Sequence, residues 1–168
     1  MKIYIATKLD NMERHQQLSH ALKIGGVTLT YDWTIHGSVK STSVGRIRTV
    51  AMAEAKGVED SDVVIVILQG GRGTHTELGM AIGFNKPVIL YAEPSLADRV
   101  FEPTGETCAF YHHPSVHKVS AEWGLCFVTI FDMVKKFVEC RHRSTRTMAV
   151  GNVCTTCGVI DSRDAHAG

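Results

Sequence analysis

Asp62-Val-Val-Ile-Val-Ile-Leu-Gln-Gly-Gly-Arg-Gly-Thr-His-Thr-Glu-Leu-Gly79 is the stretch that decides the fold. Residues 62–68 are β-branched and aliphatic after the leading Asp62. Such a run, closed by a glycine cluster, predicts a strand buried on both faces. Residues 69–77 form a glycine-rich loop, and residues 76–84 return to a helical pattern. A buried strand therefore delivers a loop that opens a helix. Backbone N–H groups of such a loop, together with a helix N-terminus, make an anion site. A single carboxylate, Glu77, stands at the start of that helix.

The same alternation continues outward. Residues 2–6, 27–31, 87–91 and 108–112 read as further strands. Residues 11–24 read as a helix with Asp10 as N-cap and Gly25-Gly26 as its stop. Residues 46–56 read as a helix ended by Gly57. Residues 121–140 place Trp123, Phe127, Ile130, Phe131, Val134 and Val138 at helical spacing, which predicts a long amphipathic helix. Alternating strands and helices with continuous apolar strands imply an α/β fold, a parallel sheet covered on both faces. Ligands of such sheets bind beyond the carboxyl ends of the strands, at the switch point. Residues 7–10, 32–36, 69–77 and 92–94 fall on that edge.

Composition narrows the function classes. The chain has 168 residues, which predicts one domain. With 44% hydrophobic and 21% charged residues and a net charge of +1, it carries no bulk charge for nucleic acid or a membrane surface. No apolar run reaches the roughly 18–20 residues that span a bilayer. The N-terminus reads as a strand and not as a signal peptide, so a cytoplasmic location is expected. The five cysteines, Cys108, Cys126, Cys140, Cys154 and Cys157, do not form a secreted disulfide pattern.

Two chemical readings of the loop stand side by side. It lacks the Gly-Lys-Ser/Thr of a Walker loop and the third glycine of a Rossmann fingerprint. It is either a tight strand-to-helix turn or a phosphate cradle. Thr74-His-Thr-Glu77 fits a capping box, in which Glu77 reaches back to the Thr74 N–H. Alternatively, Glu77 is a nucleophile on the anomeric carbon of a sugar, where a carboxylate stabilises or captures an oxocarbenium-like centre. A second acid is then needed for the leaving base, and Glu54, Asp62, Asp32 and Asp10 are candidates. Lys8, Arg72 and His75 suit a phosphate, Arg72 through its guanidinium fork. Trp33, beside Asp32, can stack on a base. His112 and His113 would point to opposite faces of a strand and so would not share an ion.

Residues 141–168 are basic at first and then rich in Gly, Ser, Thr and Asp, an appended tail that is mobile unless something ties it down. Cys154-Thr-Thr-Cys157-Gly158 is a CxxC knuckle that Cys140, His142 and His166 can complete for structural zinc. A redox-labile pair and plain disorder are the competing readings.

Taken together, residues 2–6, 27–33, 54–58, 61–66, 70–79 and 86–91 resemble, in that order, the nucleoside 2-deoxyribosyltransferase-like superfamily. The resemblance covers roughly residues 1–140, leaving 141–168 as the tail. It implies a flavodoxin-like three-layer sandwich on a five-stranded parallel sheet, in a homodimer or higher oligomer with sites at subunit interfaces. Residues Tyr111 to His117 of a neighbouring subunit are the expected donors to such a shared pocket. It implies Glu77 as nucleophile and Glu54 in the place of the family's second acid, usually Asp. Thr7 and Lys8 of the first loop would hold sugar or base, and Gly71, Arg72, Gly73, Thr74 and His75 a phosphate, with Asp32 and Trp33 toward the base. No catalytic cofactor is implied. The activity implied is hydrolysis of a nucleoside 5′-monophosphate to base and sugar phosphate. Transfer of deoxyribose between bases and a non-catalytic nucleotide sensor are the alternatives.

Overall fold

The computed structural model of the chain describes residues 1–140, 145–148 and 151–160. Strands β1 (Lys2–Ala6), β2 (Thr28–Leu29), β3 (Val63–Ile67), β4 (Val88–Ala92) and β5 (Val116–Ser120) form an all-parallel sheet in the order β2-β1-β3-β4-β5. Helices α1 (Met12–Ile24), α2 (Val44–Asp60), α3 (Arg72–Gly83), α4 (Pro94–Val100) and α5 (Cys126–Val138) cover it. This is the flavodoxin-like sandwich, whose switch point lies between β1 and β3.

The pleat sorts the side chains into two cores. Ile3, Ile5, Val63, Ile65 and Ile67 face α1 and α5, meeting Leu18, Leu22, Ile130 and Val134. Tyr4, Ala6, Val64 and Val66 face the other layer, meeting Val58, Leu78, Ala81 and Ala97. Burial on both faces is why β3 is apolar at every position rather than at alternate ones. Among the described residues, no helix is long and apolar enough to cross a membrane.

Several expectations are corrected. The helix expected to stop at Gly57 runs on to Asp60. A Cβ at Gly57 would lie 2.8 Å from the Tyr31 Cβ and 3.0 Å from the Tyr4 ring. The glycine thus serves close packing of α2 on two tyrosines and is not a stop. The fifth strand is Val116–Ser120, while Ala109–His112 is a 3-10 turn pinned by the buried Tyr111. Consequently His112 and His113 lie on no strand; His112 contacts Thr107 and Lys118, and His113 contacts Ser115. Asp10 lies in a 3-10 turn before α1, pairing with Lys8 at 3.5 Å, and caps nothing. Helix α3 begins at Arg72, earlier than expected, with Gly71 as N-cap.

The described part of the tail packs against the domain. Strands β6 (Thr145–Met148) and β7 (Gly151–Cys154) pair antiparallel. Cys154, Cys157 and Val159 join the core under α5. Asn85 fastens the tail through both its amide atoms, Nδ2 to the Ile160 carbonyl at 2.7 Å and Oδ1 from the Ile160 N–H at 3.0 Å.

Candidate active site

Beyond the carboxyl ends of β1 and β3 lies a cavity of about 600 Å³. Thr7, Lys8, Trp33, Glu54, Gly71, Arg72, Gly73, Thr74 and Glu77 line it, together with Leu9 and residues 36–40. The topology opens a crevice here because the connections leaving β1 and β3 run to opposite faces of the sheet.

Glu77 sits in the second turn of α3, buried with 7% of its surface exposed. A helix tilts its side chains toward its own N-terminus, so Glu77 points back under the glycine loop. It does not cap the helix. That place belongs to Thr74, whose Oγ1 accepts from the Gly71 N–H at 3.1 Å. The capping-box reading therefore fails, because α3 starts two residues before Thr74 and leaves Glu77 beyond its first turn. A Cβ at Gly70 would meet Thr74 Cγ2 at 2.6 Å, so a glycine is required for the loop to close over the threonine.

Electrostatics single out this carboxyl. Burial pushes Glu77 up to about 7; a hydrogen bond from Tyr4 opposes the rise, and the charge of Glu54 adds to it. The Tyr4 hydroxyl donates to Glu77 Oε1 at 2.5 Å from a fully buried position on β1. Glu54, on α2, is also raised by burial, with His36 pulling the other way. His36 in turn holds the Tyr31 hydroxyl at 3.0 Å through Nε2. Two carboxyls of one cavity thus share a raised affinity for protons.

The remaining predicted residues divide. Lys8 and Arg72 reach the cavity on the side of the α3 N-terminus, whose first amides lack intrahelical acceptors as in any helix. Lys40 adds a further cation to the cavity wall. The Thr7 hydroxyl donates to the Ile67 carbonyl at 2.9 Å and accepts from Asn11 at 3.0 Å, bracing β1 against β3. Trp33 forms a wall, its Nε1–H held by the Ile5 carbonyl at 3.0 Å and its ring against His15 at 5.0 Å. Asp32 and His75 do not line the cavity. Asp32 accepts from the Thr34 N–H at 3.0 Å and hydroxyl at 2.6 Å, capping a short turn. His75 stacks on Tyr111, with Nε2 2.7 Å from its hydroxyl and Nδ1 2.8 Å from the Gly71 carbonyl. Tyr4 and residues 37–40 were not anticipated. A tyrosine in an aliphatic buried strand was the available signal, since its hydroxyl must find a partner.

A separate cluster lies at the opposite end of the sheet. Cys140, Cys154 and Cys157 bring their sulfurs within 4.8 Å of one another, while His142 and His166 lie outside the described residues.

The profile of the nucleoside 2-deoxyribosyltransferase family matches residues 3–109. The chain belongs to that family. Among solved structures, this nucleoside 2-deoxyribosyltransferase family member is similar to the CMP N-glycosidase of Clostridium botulinum, with TM-score 0.54 and 16% identity over 79% of this chain and 99% of that one. It is also similar to the 2-deoxyribosyltransferase of Bacillus psychrosaccharolyticus, with TM-score 0.50 and 21% identity over 76% and 90%. A conserved protein of Enterococcus faecalis V583 superposes with TM-score 0.50 and 20% identity over 80% and 97%. Among curated proteins none matches the chain. The family model is that of nucleoside 2-deoxyribosyltransferases, and the solved structures share this chain's fold.

Proposed function

We propose that this chain hydrolyses the N-glycosidic bond of a nucleoside 5′-monophosphate, giving free base and sugar phosphate. The observation that carries the reading is Glu77: a buried carboxyl on the wall of the switch-point cavity, held at one oxygen by Tyr4. The Tyr4 bond leaves Glu77 Oε2 for the sugar. Oε2 attacks C1′, the C1′–N bond breaks, and its electron pair leaves with the base, which takes a proton from Glu54. Water then attacks C1′ of the glycosyl ester, Glu54 takes the water's proton, and Glu77 leaves as carboxylate. Burial raises the proton affinity of Glu54, which favours the protonated form that the leaving base needs. Phosphate specificity is supported by Lys8, Arg72 and the amides at the α3 N-terminus, which surround one side of the cavity with positive charge. Trp33 is the wall on which the base rests. The reaction requires no cofactor. Exposed Val44, Ile47 and Met52 on α2, the helix that carries Glu54, form the face of a homodimer in this reading.

Chromatography of free base separates the possibilities. The chain and its Glu77→Gln variant are incubated with ribo- and deoxynucleosides and their monophosphates, with and without a second base. Base release from monophosphates that vanishes in the variant is the expected result. Exchange restricted to unphosphorylated nucleosides would instead mark a transferase, and binding without turnover a sensor.

A further inference from the structure

We propose that Cys140, Cys154 and Cys157 bind one structural zinc ion that staples the tail to the end of α5. The three residues come from separate places: Cys140 just after α5, Cys154 at the end of β7, and Cys157 in the turn beyond it. Their sulfurs all lie within 4.8 Å of one another, and those of Cys140 and Cys154 are 3.5 Å apart. Zinc–sulfur bonds of about 2.3 Å at tetrahedral angles put co-ligand sulfurs about 3.8 Å apart, within this range. Cys154 and Cys157 are buried, at 2% and 1% exposure, and Cys140 is half-buried.

Backbone hydrogen bonds shape the knuckle that presents two of the sulfurs. The Thr156 N–H donates to Cys154 Sγ at 3.4 Å. The Gly158 N–H returns to the Cys154 carbonyl and the Cys154 N–H to the Val159 carbonyl, both at 2.9 Å, closing the knuckle. Gly158 has φ +69°, the left-handed conformation that a side chain disfavours. A Cβ there would also lie 1.8 Å from the Pro114 carbonyl oxygen, so the knuckle is seated directly on the chain before β5. His117 Nε2 holds the Cys157 carbonyl at 2.9 Å. The knuckle is thus fixed to the domain independently of the helix end that carries the third sulfur, and one ion joins the two.

Ligand chemistry selects the metal. Three thiolates in an apolar setting suit zinc and exclude calcium and magnesium, which take oxygen ligands. Binding releases the three thiol protons, and a fourth donor completes the tetrahedron. The site lies at the amino ends of the strands, away from Glu77, so its role is structural. The inference does not rest on the proposed reaction.

The test uses the full chain, purified under reducing conditions without a chelating tag. Elemental analysis should find one zinc per chain, retained on dialysis. Cys154→Ser and Cys157→Ser should each fall below about a tenth of that content, while Cys108→Ser keeps it. Because the serine variants can misfold, cobalt exchange into the unaltered chain provides a second reading. A tetrahedral visible spectrum with thiolate-to-cobalt charge-transfer bands is expected. Less than about a tenth of an equivalent of zinc after zinc is supplied overturns the proposal. So does a cobalt spectrum without thiolate bands, iron or copper in place of zinc, or a reductant-sensitive loss of two hydrogens that marks a disulfide.

Discussion

The hydroxyl of Tyr4 donates to Glu77 Oε1 at 2.5 Å, joining the first strand to the third helix across 73 residues. This bond favours the carboxylate against burial, and the balance of the two leaves Glu77 protonated up to about 7. A nucleophile must be ionised, so the acidic limb of the activity profile should follow Glu77, while loss of the Glu54 proton sets the alkaline limb. A Tyr4→Phe variant loses the opposing bond. Its acidic limb should move up by about one pH unit or more, because a hydrogen bond to a charged group contributes about 1.5–3 kcal/mol. Turnover at pH near 6 then falls about tenfold, while at pH near 9 it stays close to wild type. A pH–rate profile with an unmoved limb would remove Tyr4 from the mechanism.

The same carboxyl makes stability depend on pH. An unfolded glutamate loses its proton near 4.5, the folded Glu77 near about 7. Between those values unfolding releases a proton, so the wild type weakens as pH rises and is steady again above them. A Glu77→Gln variant does not titrate. It should match the wild type most closely near pH 4 and exceed it by up to about 3 kcal/mol near pH 8. Urea unfolding at the two pH values measures the gap, and a gap that narrows at high pH contradicts the assignment.

Lys8 and Arg72 bear on the phosphate. Replacing either with alanine should raise KM for a nucleoside 5′-monophosphate by about tenfold or more, as loss of a charge-assisted contact does. KM for the unphosphorylated nucleoside should change little. Steady-state kinetics on both substrates decides it; equal losses on both would argue against a phosphate contact.

Gly70 has no room for a side chain, with Thr74 Cγ2 at 2.6 Å from a Cβ built there. A Gly70→Val variant should lose about 1–3 kcal/mol by overpacking and should displace the start of α3. Thermal unfolding reports the first effect and loss of turnover the second.

His15 is fully buried, and neither ring nitrogen has a hydrogen-bond partner among the described residues. Burial lowers its pKa, with Asp32 4.0 Å away pulling upward. The folded chain therefore resists the proton that the unfolded chain accepts near 6.5, and the protein weakens as pH falls through that value. His15→Leu should be more stable than the wild type, by about 1 kcal/mol or more, and the advantage should grow toward pH 5. Denaturant midpoints at pH 5 and 8 test this.

Much of this architecture was legible in residues 62–79. Continuous apolar residues need cover on both faces, and the glycine loop marks the carboxyl edge of the sheet. What failed was local. Thr74 and Glu77 fit a capping box by spacing, but α3 begins at Arg72, and spacing alone does not fix where a helix starts. Residues 108–112 mimic a strand because Tyr111 turns inward, whereas the real edge strand, Val116–Ser120, is only half apolar. Helix α4 carried its own sign in Pro94 at the first position. The Tyr4–Glu77 contact required the assembled sheet. Trp33 and Glu54 line the cavity, while Asp32 bonds Thr34 through Oδ1 and His75 bonds Gly71 and Tyr111 through its two ring nitrogens.

Gly57 leaves a gap that the Tyr4 ring fills, and the same tyrosine steadies Glu77 with its hydroxyl. A bulkier residue at 57 would press on the Tyr31 Cβ and on the Tyr4 ring at once, so crowding there reaches the phenol that holds Glu77. Laboratory evolution toward new nucleobases would do best to hold Tyr4 and Gly57 fixed and randomise residues 37–40, which line the cavity outside the core.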